Sequence, residues 1–215
     1  MQRLRVNFSR AAGLRFISHL DLIRLWHRAL NRADIAIAYS EGFNPHPRLS
    51  LAAPLALGVT SDAELMDVIL AKFVSPHTFT DSVSRQLPEG IDIRQVYNAA
   101  LNMPSMQSQV RFAEYTVELT TDKTWSEIEA AIADLLRKKS LPWQHQRDTG
   151  PRKYDLRILI EDIDLIDWQS GKCTIGMKLR CDSRGSGRPE QVAAALGFKN
   201  YPESIHRTRL IFETK

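Results

Sequence analysis

The residues best placed to do chemistry lie in AYSEGFNPHPRLSL, residues 38–51, where His46 stands between Pro45 and Pro47, with Asn44 before them and Arg48 after. Each proline fixes its own φ and biases the residue before it toward extended backbone, and Gly42 can supply a positive φ at the bend. Ser40, Asn44, His46 and Arg48 are therefore short of freedom before anything binds. They avoid part of the ordering cost of about 0.5–1.5 kcal/mol per immobilised side chain. Such a set suits a polar, phosphate-bearing partner. The structural alternative is that the prolines end a sheet edge and His46 is solvated.

Two more stretches offer cationic chemistry. Arg24, Arg28 and Arg32 recur at i, i+4 spacing, where like charges repel by a few tenths of a kcal/mol, roughly, unless an anion lies alongside. Asp21 can relieve the first two. In DSRGSGRPEQ, residues 182–191, Gly185 and Gly187 free the backbone to aim N–H groups at one point, while Arg184 and Arg188 add charge before a proline-led helix. This reads as a phosphate-binding nest, with a plain surface loop as the alternative. It has neither the lysine nor the spacing of a P-loop.

Other chemistry is poorly supported. Asp155 and Arg157 in RKYDLR fall on one face of an alternating stretch and read as an ion-paired row. Cys173 and Cys181 share the apolar face of one strand, too far apart along it to bond, and are expected to be core thiols. The six histidines show no H-x-x-x-H spacing and there is no C-x-x-C, so no metal and no cofactor are expected. There is no G-x-S-x-G elbow. His19 and His46 could act as general bases, but nothing in the sequence seats a substrate beside either.

Alternation and helical spacing define the elements that must hold these groups. Residues 3–8 alternate as a strand. Ser18 caps a helix over 19–33, with Asp21 in its first turn and Leu22, Trp26, Leu30 and Ala33 on the apolar side. Leu49 and Leu51 mark a short strand, and residues 65–73 a strand buried on both faces. Ser75 and Pro76 open a helix through Phe79, Val83 and Leu87, and residues 91–97 close the set. After an aperiodic segment, 98–110, the pattern resumes. A strand carries Tyr115, Val117 and Leu119; a T-W-S-E capping box at Thr124 opens a helix; strands follow at 154–160 and 173–181, a helix at 189–196 and a strand at 205–212.

The fold class expected is α+β: two tandem ferredoxin-like (β-α-β-β-α-β) units with antiparallel sheets, over 1–97 and 111–215, joined by a linker at 98–110. Composition agrees with a globular chain of 215 residues, 43% hydrophobic and 25% charged. No run approaches the roughly 20 apolar residues of a membrane span, so no membrane partner is expected. MQRLRVNFSR has no apolar leader, and two cysteines suit a reducing cytoplasm. The net charge of +4 is spread over both halves, 11 Lys/Arg against 9 Asp/Glu in residues 1–100 and 18 against 16 beyond, so a cationic site has to arise by folding.

The stretch RFISHLDLIRLWHRALNRADIAIAYSEGFNPHPRLSLAAPLALGVTSDAEL, followed by LPEGIDI, closely resembles the bacterial radical SAM-linked protein family, a domain of unknown function found beside or fused to cobalamin-binding radical SAM proteins. YDLR and GSGRPEQVAAALG extend the likeness more weakly. The resemblance implies a radical SAM cobalamin-binding protein as partner and points toward RNA; it supplies no known activity and no known catalytic residues. The chain has no C-x-x-x-C-x-x-C motif for an iron–sulfur cluster.

The site is placed on the helix start and the stiff loop: Ser18, His19, Asp21, Arg24, Arg28, Ser40, Gly42, Phe43, Asn44, His46 and Arg48. The phosphate-binding set is Arg184, Gly185, Gly187 and Arg188. The leading expectation is a non-catalytic RNA-binding module accessory to a radical SAM enzyme. A metal-independent RNA-processing enzyme using His19 or His46, and an adaptor docking only on the radical SAM chain, are the alternatives.

Overall fold

A computed structural model describes residues 1–147 and 150–213. The chain forms an α+β structure of two compact units, Met1–Val110 and a second beginning at Arg111.

The first unit runs β1 (Gln2–Arg10), α1 (His19–Arg32), β2 (Leu49–Leu51), β3 (Thr60–Leu70), α2 (Pro76–Ser84) and β4 (Ile93–Ala99). Its sheet has the order β4-β1-β3-β2, antiparallel throughout, with Val6 opposite both Met66 and Val96. The helices begin where their caps dictate: the Ser18 hydroxyl accepts from the Asp21 amide and the Ser75 hydroxyl from the Thr78 amide. Leu22, Trp26 and Leu30 of α1 and Phe79 and Val83 of α2 pack on Leu4, Val6, Phe8, Met66, Val68 and Leu70. Trp26 meets Phe8 edge-on, their ring centroids 4.9 Å apart. Each fully buried side chain of this size contributes about 1.5–3 kcal/mol.

The opposite face of this sheet is also closed. Asp67 accepts from Arg3 Nε at 2.8 Å and Arg5 Nε at 2.8 Å, all three side chains being buried. Burial works against the charged Arg5, but Asp67 and Tyr97 together more than offset it and raise the guanidinium's pKa. Arg3 also donates to the Met103 carbonyl at 2.7 Å and the Pro104 carbonyl at 3.3 Å. Residues 98–110, expected to be a linker, are thereby tied down. They contain the end of β4 and a short α3 (Met106–Gln109) whose Met106 is buried. β3 begins at Thr60, earlier than expected, and stops at Leu70; Phe73 lies outside it, exposed.

The second unit runs β5 (Val110–Thr120), α4 (Trp125–Arg137), β6 (Pro142–Arg147), β7 (Gly150–Asp155), β8 (Ile160–Gln169), β9 (Lys172–Asp182), β10 (Gly185–Ser186), α5 (Pro189–Ala195) and β11 (Ser204–Phe212). Within it the order is β11-β5-β9-β8, with β10 continuing the outer edge of β9 and β6 and β7 paired only to each other. The capping box at Thr124 and Glu127 forms on both sides.

The expected strand over 154–160 breaks at Asp155. Its carboxylate accepts from the Leu141 amide at 2.8 Å and the Arg157 amide at 2.9 Å, stopping β7 and starting a 3-10 turn over Arg157–Leu159. The Arg157 guanidinium turns to the carbonyls of Leu136 and Ile160 instead of forming an ion-paired row. Cys173 is buried, which pushes its thiol pKa up; Cys181 is only half-buried.

Candidate functional site

The proline loop is held at its root. The Ala38 amide donates to the Ile69 carbonyl at 2.8 Å, the Arg48 amide to the Ala38 carbonyl at 2.8 Å and the Ile69 amide to the Arg48 carbonyl at 2.9 Å. Above that clamp Tyr39 bridges Pro47, and Ser40 closes the loop twice. Its amide donates to the His46 carbonyl at 2.9 Å and its hydroxyl accepts from the His46 amide at 3.0 Å. Gly42 takes φ +122, the conformation its sequence position suggests, and no atom lies within 4 Å of where a Cβ would stand. From Ser40 to His46 every residue is exposed, and Phe43 at the tip is 107% accessible.

The loop touches α1 through residues the sequence reading missed. The Tyr39 hydroxyl and His27 Nε2 are 2.8 Å apart, their rings edge to face, and Asn31 Nδ2 stands 3.3 Å from the same His27 nitrogen. A histidine beside the arginine row and a tyrosine at the loop's entry were the available signal.

The helix start is occupied by its own residues. The Ser18 hydroxyl donates to Asp21 at 2.7 Å, and Arg24 donates to Asp21 at 2.9 Å. Ser18 and then Arg24 hold the Asp21 carboxyl below its ordinary range. His19 Nδ1 is buried with no hydrogen-bond partner among the described residues. Of the arginine row, Arg32 donates to the Gln86 carbonyl at 2.6 Å, while Arg28 is exposed and has no ion pair among the described residues. Arg48 is exposed and rests its guanidinium 3.6 Å from Met1 Sδ. Among the described residues no hydrogen bond or ion pair joins the Ser18–Arg24 stretch to Ser40–Arg48. Of the groups expected to converge, the ones available to a partner are Arg28, Arg48 and the loop itself.

The second set, Arg184 to Arg188, is a hairpin turn. Gly185 pairs with Asp182 and Ser186 with Cys181. The Asp182 carboxylate takes the Arg184 amide at 2.8 Å, the Arg180 guanidinium at 2.9 Å and the Arg184 guanidinium at 3.4 Å. Burial opposes that charge, yet these donors keep the Asp182 pKa low. The glycines serve packing: a Cβ on Gly185 would stand 2.6 Å from Leu159 Cδ2, and one on Gly187 3.0 Å from the Leu159 carbonyl oxygen. Arg188 is partly exposed, 3.8 Å from Glu190.

Among the described residues no three His, Cys, Asp or Glu side chains gather as a metal site, and no helix is long and apolar enough to cross a membrane.

Residues 3–189 match the profile of a family described as "uncharacterized protein conserved in bacteria (DUF2344)". No curated protein matches the chain. Among solved structures it is similar to "Crystal Structure of a Cbf5-Nop10-Gar1 Complex", with a TM-score of 0.53 at 10% identity over 96% of this chain and 48% of that one. It is also similar to "Crystal structure of the archaeal box H/ACA sRNP Nop10-Cbf5 complex", with a TM-score of 0.48 at 12% identity over 96% and 47%. The chain thus spans about half the length of these structures, and its likeness to the first is one of fold.

Proposed function

The chain belongs to that bacterial family, and we propose that its first unit is a non-catalytic module that binds RNA. The observation carrying this reading is Phe43, a fully exposed aromatic ring at the tip of a loop whose root is fixed by backbone hydrogen bonds and by the Tyr39–His27 contact. A large apolar ring held in water on a braced loop gains most from a flat partner surface. An unstacked base offers one, worth about 1–3 kcal/mol per base. Asn44 and His46 beside it can meet base edges, and Arg28 and Arg48 can meet phosphates without breaking an ion pair.

Both units are read as ferredoxin-like because each sets its last and third main strands on either side of its first. A cobalamin-binding radical SAM protein is proposed as partner on the resemblance of residues 15–65 and 87–93, and co-purification of the two chains tests it.

The RNA reading is tested by fluorescence anisotropy of labelled single-stranded RNA against the full chain over a salt series. Binding is expected to weaken steeply as salt rises. Phe43→Ala is expected to weaken it at least fivefold at every salt, and Arg28→Glu to flatten the salt dependence. Affinity that ignores both substitutions, or that ignores salt, overturns the reading.

A further inference from the structure

The β6–β7 ribbon interrupts the path from α4 to β8, and among the described residues its two strands pair only with each other. A lone two-stranded hairpin is marginally stable in water, so its root has to be fixed elsewhere. The Leu156 amide donates to the Leu141 carbonyl at 2.9 Å, Asp155 caps the adjoining turn, and the Tyr154 hydroxyl donates to Gln191 Oε1 on α5.

The register sets Trp143 opposite Tyr154 and His145 opposite Arg152, so these four share one face while Lys153 takes the other. Arg152 and Lys153 are exposed, and the Arg152 guanidinium carbon lies 5.8 Å from the Tyr154 ring centre. Beside the root is Arg188, with 44% of its side chain accessible and, among the described residues, one ion pair, the 3.8 Å contact to Glu190. Its charge reaches two phenols: burial raises the pKa of Tyr154 and of Tyr201, Glu190 adds to that rise at both, and Arg188 acts against it at both. Tyr201 is 65% exposed. Cations interleaved with aromatic rings are what a single strand of nucleic acid uses, phosphates on the first and a base on the second.

We infer that the β6–β7 ribbon and the adjoining Arg188–Tyr201 edge form a second RNA contact, which takes a single-stranded segment with phosphates on Arg152 and Arg188 and a base stacked on Tyr201. The inference rests on the RNA reading of the first unit but uses none of its residues. A single strand fits better than a duplex, because the deep, narrow major groove of A-form RNA hides its bases from an exposed tyrosine.

Anisotropy of labelled oligo(U) against the full chain separates the two. Arg152→Glu with Arg188→Glu is expected to weaken binding at least tenfold and to lower the salt slope by about 1.4, the value for two lost phosphate contacts. Tyr201→Ala is expected to weaken binding about tenfold with the slope unchanged, and Tyr201→Phe to bind like the parent. Unchanged melting temperatures establish that each variant is folded.

If the ribbon variants bind as the parent does while Phe43→Ala does not, the second contact is refuted and the first reading stands. If the ribbon variants weaken and Phe43→Ala does not, the first reading falls and the ribbon remains. A parent chain that binds no RNA ends both. Equal binding of poly-glutamate, indifferent to Tyr201→Ala, would overturn the ribbon contact by making it a mere cationic face.

Discussion

β1 and β5 occupy the same place in their units, yet they are buried differently. β1 is inaccessible on both faces apart from a half-buried Asn7, whereas β5 alternates along most of its length. The helix side is apolar in both. On the other side the first unit has Arg3, Arg5 and Asp67, closed by residues 98–110, and the second has Phe112 with Lys178 and Arg180 5.1 and 5.3 Å from its ring centre. Across the first and third main strands Arg5 stands opposite Asp67 in the first unit, and Glu114 opposite Lys178 in the second. One strand order thus supports a buried charge cluster in one copy and a partly solvated cation–ring surface in the other.

The widest expected gap lies at that pair of positions. Asp67→Ala leaves two buried guanidinium groups without their carboxylate and is expected to cost about 3–5 kcal/mol, whereas Lys178→Ala loses a partly exposed cation–ring contact and is expected to cost about 0.5–1 kcal/mol. Urea melts of both variants measure it. Similar losses from the two would erase the contrast.

The glycines differ in the same way. Gly187→Ala puts a methyl against Leu159 and Leu179 and is expected to cost about 1–3 kcal/mol. Gly42→Ala meets open space and is penalised for its positive φ alone, about 1 kcal/mol. A backbone-only effect at Gly187, with no loss on replacing it, would mean that the hairpin turn can open.

Smaller effects come from the helix caps. Thr124→Ala removes a reciprocal pair and is expected to cost about 1 kcal/mol by thermal melting. The pH response of Asp21 is the finest probe. Its folded pKa lies below the ordinary 3.8, so its stabilising contribution is complete above 3.8 and fades as pH falls through the lower folded value. Asp21→Asn should abolish that part of the acid titration, and Ser18→Ala should move the Asp21 carboxyl signal back toward 3.8 in an NMR titration.

What the sequence made legible was local. Ser18, Ser75 and Thr124 announce their helices because a cap acts within four residues, and Gly42 announces its turn because φ belongs to one residue. The partners of Arg3, Asp67 and Tyr39 were not legible, since each is chosen by a chain segment dozens of positions away or, for Tyr39, on another element. Asp67 reads as part of an apolar strand, and the glycines at 185 and 187 suggest an anion nest because nothing local reveals Leu159 against them; Asp182, two residues before Arg184, was the local signal that the anion's place is taken. The strand expected over 154–160 ends instead as β7 at Asp155, because its carboxylate takes the amides of Arg157 and of Leu141, and the second of these lies 14 positions away where alternation cannot reveal it.

The grip of Arg3 on the carbonyls of Met103 and Pro104 bears on how the two halves can be separated at the bench. A fragment trimmed at Ala99 keeps all four strands of the first sheet yet deprives a buried guanidinium of both main-chain acceptors. A cut made at Val110 preserves them, and it is the better starting point for preparing that half in isolation.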